Sequence, residues 1–177
     1  MIRLFLIGYM GAGKTTLGKA YARKMKISFI DLDWYIEERF HKTINQLFSE
    51  NGEDGFRLIE RKALHEVGEF EDVIISTGGG TPCYFDNIEY MNRQGNTVFL
   101  EVNPDILFVR LKIAPQNRPI IQGKTDDELR SFIAKSLEAR LPFYNRAQRI
   151  FDGSKLQTEK QIEQSVCSLQ QLLNATH

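Results

Sequence analysis

Short apolar runs alternate with longer amphipathic stretches along this chain. Residues 2–7 form an apolar run broken only by Arg3, and residues 29–31, 73–77, 97–102 and 149–151 are further runs of strand length. Between them, residues 15–26, 34–40, 56–69, 87–94, 105–112, 126–141 and 159–173 have the length and spacing of helices. Local chemistry marks several helix starts. Thr43 with Gln46, and Thr158 with Gln161, fit the capping-box pattern, and Asn103-Pro104 reads as an N-cap followed by proline at the first helical position. Strands alternating with helices predict an α/β fold with a parallel sheet covered on both faces. In such sheets ligands sit at the carboxyl ends of the strands, where the motifs below fall.

No repeat, low-complexity tract or linker interrupts this pattern. At 177 residues the chain has the size of one domain and can bury enough surface to fold without staples. Lys plus Arg and Asp plus Glu are equal at 23 each, which argues against a nucleic-acid binder but leaves room for a local basic pocket. Cys83 and Cys167 lack metal-ligand spacing and are expected as reduced thiols. No apolar run approaches the ~20 residues that span a membrane. The apolar N-terminus is too short for a signal peptide, and a glycine loop stands where a cleavage site would be. The expectation is a soluble cytoplasmic protein.

Gly8-Tyr9-Met10-Gly11-Ala12-Gly13-Lys14-Thr15 fits the phosphate-loop pattern G-x-x-x-x-G-K-[ST] in full, between a predicted strand and a predicted helix. Glycines let backbone N–H groups turn inward around an anion, and the helix N-terminus adds its dipole. Lys14 is expected to reach the β- and γ-phosphates, and Thr15 to offer its hydroxyl to Mg²⁺.

Asp31 and Asp33 follow the second strand. Period-two geometry would turn both carboxylates to one side. One acid can hold magnesium through water while the other accepts a proton from an acceptor hydroxyl. Alternatively, Asp33 caps a helix beginning at Trp34.

Arg57 and Glu60 lie three apart, so they share a helix face. They form either a surface ion pair or a ligand-facing arginine oriented by the acid. Gly78-Gly79-Gly80 closes the strand at 73–77, as a plain turn or as a place of close backbone approach to a ligand. Ser76 stands where a Walker B strand would end on Asp, so magnesium would lean on Thr15 and Asp31. Residues 113–124 read as a mobile surface loop. Its Arg118 is either a solvated cation or a lid arginine closing over the γ-phosphate. Arg140, near a helix C-terminus, is either a structural cation there or a second carboxylate clamp.

Taken in order, these pieces resemble the shikimate kinase family from about residue 2 to about residue 151. They are Gly-Tyr-Met-Gly-Ala-Gly-Lys-Thr-Thr at 8–16, Asp-Leu-Asp at 31–33, Gly-Glu-x-x-Phe-Arg-x-x-Glu at 52–60, the glycines at 78–80, Asn-Arg-Pro at 117–119, and Arg-x-Pro-x-Tyr-x-x-Ala at 140–147. The resemblance implies a P-loop fold of the nucleoside monophosphate kinase type. That means a five-stranded parallel sheet flanked by helices in one domain over 1–177, an acceptor-binding region at about 33–60 and a lid at about 113–124. It implies transfer of the γ-phosphoryl group of ATP to the 3-hydroxyl of shikimate, on the route to chorismate and the aromatic amino acids.

Carried over by position, Gly11, Ala12, Gly13, Lys14, Thr15, Thr16 and Arg118 would bind ATP. Thr15 would bind Mg²⁺, and Asp31 would do so through water. Asp33, Arg57, Gly79 and Arg140 would hold shikimate, with both arginines on its carboxylate. Lys14, Asp33 and Arg118 would be catalytic. ATP and shikimate are the expected partners, with no nucleic acid or membrane, and a monomer is expected. Ile120-Ile121 replaces the usual leucines after Arg-Pro, and residues 152–155 offer no clear adenine motif. The alternatives are a gluconate kinase-like enzyme for small hydroxy acids and a nonenzymatic ligand-sensing domain derived from the kinase. Against the first stand the 52–60 and triple-glycine segments. Against the second stand the retained Lys14, Asp33 and Arg118.

Overall fold

The computed structural model describes residues 1–113 and 121–175. Its strands are β1 (Arg3–Ile7), β2 (Ser28–Asp31), β3 (Val73–Ser76), β4 (Asn96–Glu101) and β5 (Arg149–Asp152). All pair in parallel, in the order β2-β3-β1-β4-β5. The three central strands carry nearly continuous apolar sequence because both of their faces are covered. Every residue of β3 is buried, as are Leu4–Ile7 of β1 and the inner four of β4. The edge strands β2 and β5 are less buried. The register sets Asp31 beside Ser76, and Ser76 beside Leu6. The ends of β2, β3 and β1 therefore open on one side, where the functional motifs lie.

The helices are α1 (Lys14–Met25), α2 (Leu32–Phe40), α3 (Ile44–Val67), α4 (Asn87–Gln94), α5 (Pro104–Ile113), α6 (Asp126–Tyr144) and α7 (Glu159–Asn174). Two boundaries differ from expectation in ways that matter for the site. Helix α2 begins at Leu32, directly after β2, because Asp31 is its N-cap. Asp33 is therefore a first-turn helical residue, not an extended one or a cap, and the period-two argument stops at Asp31. Helix α3, expected over 56–69, reaches back to Ile44. It contains a break at Gly52, whose φ of 68° and ψ of 179° lie outside the helical region.

Capping chemistry is as expected at two starts and partial at a third. Thr43 and Gln46 form a complete capping box. Asn103 Oδ1 accepts from the Asp105 N–H ahead of α5. Thr158 accepts from the Gln161 N–H, but the Gln161 side chain turns to Gln157 N instead of completing the box. A further complete box, Thr125 with Glu128, opens α6. Helix α6 runs on through Pro142 to Tyr144. Ile113, expected in the lid, ends α5, and most of that segment, Arg118 included, lies outside the described residues. Among the described residues, no helix is long and apolar enough to cross a membrane.

Candidate active site

The phosphate loop joins β1 to α1. Gly13 caps the helix at φ 96°, and a Cβ there would fall 2.4 Å from Leu156 Cδ1, so only glycine fits. The Ala12 N–H donates to Tyr9 O, tightening the loop. Lys14 is buried, and its Nζ donates to Gly8 O at 2.7 Å and Tyr9 O at 2.9 Å, which lays the ammonium across the loop. Arg110 of α5 braces the same loop. One guanidinium nitrogen donates to Gly11 O and Ala12 O, the other to Gly153 O and Ser154 O. The 152–155 segment, unreadable in sequence, is thereby fastened beside the phosphate loop. Nothing in the local pattern of α5 marks Arg110, because its partners lie about 98 and 43 residues away.

Thr15 Oγ1 donates to Asp31 Oδ2 at 2.9 Å, so the two residues expected at the metal are adjacent. Asp31 Oδ1 accepts from the N–H groups of Asp33 and Trp34. A hydroxyl and a carboxylate are hard oxygen donors. Magnesium commonly takes one or two carboxylates with waters and substrate phosphates, and the pair suits that habit. Among the described residues there is no group of three or more His, Cys, Asp or Glu placed to hold a metal ion by themselves. Asp33 is mostly buried on the inner side of α2. Burial, with the charges of Asp31 and Glu60 adding to it, raises its carboxyl to about 6, while Lys14 pulls the other way.

Around the triple glycine Asp33, Arg57 and Arg140 converge, with Glu60 beside them. A Cβ placed on Gly78 would fall 3.1 Å from both Asp33 Oδ1 and Glu60 Oε1. One on Gly79 would fall 3.1 Å from Arg140 Nη1, and one on Gly80 would fall 2.6 Å from Arg57 Nη2. The glycines thus let two arginines and two acids close on one stretch of backbone. Arg57 Nη1 donates to Glu60 Oε2 at 2.9 Å, and with Arg57 9% and Glu60 1% exposed this is no surface ion pair. The guanidinium also stacks on Tyr84, 4.1 Å from the ring centroid. Its Nη2 has Glu53 at 3.8 Å, and its buried Nε has no hydrogen-bond partner among the described residues. Arg140 of α6 lies 5.4 Å from the centroid of the Tyr9 ring.

Besides Arg110, three residues around the glycine turn have no role assigned to them from the sequence. Tyr144 Oη donates to Gly79 O at 2.6 Å and holds the turn, and burial keeps its phenol protonated far above its usual range. Thr81 Oγ1 donates to Glu60 Oε1 at 2.6 Å. Tyr84 donates to Glu53 Oε1 at 2.6 Å. The two thiols are unpaired, and burial pushes the Cys83 thiol up to about 11.

Comparison with known proteins identifies the family. The family model described as shikimate kinase matches residues 10–170. A curated shikimate kinase of Bacteroides thetaiotaomicron is 66% identical over 98% of this chain and 99% of its own length. A solved shikimate kinase from the same organism superposes with a TM-score of 0.96, at 66% identity over 97% of this chain and 98% of that one. The shikimate kinase of Acinetobacter baumannii, solved in complex with shikimate, gives a TM-score of 0.83 at 28% identity over 98% of this chain and 93% of that one. A complete phosphate loop, an acid beside it and two arginines gathered on a glycine turn thus stand in a chain that belongs to the shikimate kinase family.

Proposed function

We infer that this protein transfers the γ-phosphoryl group of ATP to shikimate. The product is shikimate 3-phosphate, on the route to chorismate and the aromatic amino acids. The observation that carries this reading is the meeting of Arg57, Arg140 and Asp33 on the glycine turn at 78–80, beside the phosphate loop. Two guanidinium groups suit one carboxylate, because their planar forks pair with it bidentately. In Arg57 Nη1 is engaged by Glu60, while Nη2 has Glu53 at 3.8 Å. A guanidinium has five N–H donors, so it keeps capacity for a ligand carboxylate.

With the carboxylate held by Arg57 and Arg140, a ring hydroxyl is presented to Asp33. Its carboxylate orients that hydroxyl and takes its proton as the oxygen attacks the γ-phosphorus and the bond to the β,γ-bridging oxygen breaks, with ADP leaving. Gly11, Ala12, Gly13, Thr15 and Thr16 hold the phosphates, and Lys14 stabilises charge on the β- and γ-phosphate oxygens. Thr15 directly, and Asp31 through water, would hold Mg²⁺, which supplies charge neutralisation at the phosphates when bound. Arg118 is assigned to the lid, where it would stabilise the transferring group. The chain is assigned to the cytoplasm and to a monomeric state.

The test is ATP turnover against a panel of hydroxy acids. Stimulation by shikimate and not by gluconate is expected. Equal stimulation by gluconate would overturn the assignment of acceptor, and no turnover with any acid would favour the ligand-sensing alternative.

A further inference from the structure

A chain of side-chain contacts runs back from Arg57 through Glu60. Arg57 Nη1 donates to Glu60 Oε2 at 2.9 Å, and Glu60 Oε1 accepts from Thr81 Oγ1 at 2.6 Å. Asn87, at the start of α4, donates through Nδ2 to Thr81 O at 2.9 Å. Glu60, Thr81 and Asn87 are each 1% exposed or less, so water cannot replace any of these bonds. The Thr81 N–H donates to Gly78 O, which closes the glycine turn onto the same residue.

We propose that Thr81 is a positioning residue for the acceptor: its hydroxyl fixes the Glu60 carboxylate, which fixes the guanidinium of Arg57. Glu60 has two oxygens, and each has one committed partner. Without the Thr81 donor, Oε1 is left buried and unpaired, and the carboxylate is free to rotate about its last torsion. Arg57 then loses the fixed acceptor that orients its fork. Stacking on Tyr84 sets the plane of the guanidinium but not its rotation within that plane, so the stack cannot substitute for the Glu60 contact. Asn87 supports the chain at its far end by holding the carbonyl of Thr81. Thr81 itself touches neither substrate nor the reacting atoms in this assignment. Its effect therefore reaches the site through Glu60 and falls first on acceptor recognition.

This inference rests on Arg57 being a carboxylate-binding residue, and the experiment separates the two. Steady-state constants for shikimate and ATP are measured for the parent, Thr81→Val, Thr81→Ser and, as a control on the site itself, Arg57→Ala. Thr81→Val keeps the volume and removes the donor. Its KM for shikimate should rise about tenfold, the scale of one hydrogen bond to a charged group, with kcat and the KM for ATP within about twofold of the parent. Thr81→Ser restores the hydroxyl and should restore the parental KM.

A folded Thr81→Val enzyme with parental shikimate KM overturns the proposal, as does a variant that weakens both substrates equally. Should Thr81→Val not accumulate as folded protein, Thr81→Ala, which also removes the donor, takes its place, and an unchanged shikimate KM overturns the proposal in the same way. If Arg57→Ala itself leaves the shikimate KM unchanged, the underlying site assignment fails instead.

Discussion

Thr15 Oγ1 and Asp31 Oδ2 stand 2.9 Å apart, joining the first turn of α1 to the end of β2. The same aspartate caps α2 through its other oxygen. Asp31 therefore has two separable duties. Asparagine caps a helix about as well as aspartate, but it lacks the charge that favours a divalent cation. Asp31→Asn should melt within a degree or two of the parent. Its half-saturating Mg²⁺ concentration should rise about tenfold, the scale of a lost ligand-shell contact. Turnover titrated with Mg²⁺ checks this, and an unchanged requirement would leave Asp31 as a cap alone.

Arg57→Ala and Arg140→Ala should each raise the KM for shikimate more than that for ATP. One lost charge-assisted hydrogen bond corresponds to about 1.5–3 kcal/mol, or tenfold and upward. The two effects should not be equal. Removing Arg57 also strands Glu60, which is 1% exposed and loses its paired cation. Breaking a buried pair from one side costs several kcal/mol. Arg57→Ala should therefore lower the melting temperature, whereas Arg140→Ala should do so far less. Thermal melts beside the kinetics decide this, and equal destabilisation would contradict the buried-pair account.

The parts of the site that could be read in advance are those written in local sequence. The phosphate loop is eight consecutive residues, and the buried strands show as apolar runs because parallel strands are covered on both faces. Asp31 and Asp33 are legible as a pair, but which of them caps α2 is not. An N-cap at Asp31 and one at Asp33 differ by only two residues, and the choice depends on how β2 docks beside β3. The break at Gly52 was likewise hidden, since a glycine inside a helical stretch reads equally well as its boundary. Least legible were contacts between distant residues. Thr81 meets Glu60 across 21 positions, and Tyr144 meets Gly79 across 65. Arg110 reaches the phosphate loop from nearly 100 positions away. Periodicity carries no information about such pairs. Only the packed fold brings them together.

Lys14 donates to the carbonyls of Gly8 and Tyr9 and must turn from them to reach a phosphate. Lys14→Met keeps most of the side-chain length and its apolar burial while removing the charge. Turnover should fall on the order of 10²–10³-fold, the usual cost of deleting one electrostatic contact to a developing charge. The fold should survive, because the contacts to Gly8 O and Tyr9 O are to loop carbonyls at the rim of the sheet. Far-ultraviolet circular dichroism with single-turnover kinetics checks both statements, and near-parental turnover would remove Lys14 from the catalytic set.

Asp33 gives the most discriminating prediction, because its environment works against its charge. Burial and the neighbouring Asp31 and Glu60 raise its carboxyl from 3.8 to about 6. The folded state thus holds a proton more tightly than the unfolded chain. The contribution of Asp33 to stability must then fall as pH rises from about 4 to about 6, and above that its full penalty remains. A shift of roughly two units corresponds to about 2–3 kcal/mol. Asp33→Asn removes the charge at nearly constant volume. In the absence of ligands it should therefore be more stable than the parent at pH 7–8 by up to that amount, and about equal to it at pH 4. Turnover should move the opposite way. Asparagine can still accept a hydrogen bond from the acceptor hydroxyl but cannot take its proton. General-base help contributes roughly 10²–10⁴-fold, and the loose transition state of phosphoryl transfer places the loss in the lower half of that range. Denaturant melts at pH 4 and pH 7.5, with turnover on the same preparations, test the two halves together. A residue that merely filled space would leave stability and rate unchanged at both pH values. A structural residue would lose both together. Only a charge kept at an unfavourable position for catalysis yields a variant that is more stable at neutral pH and slower.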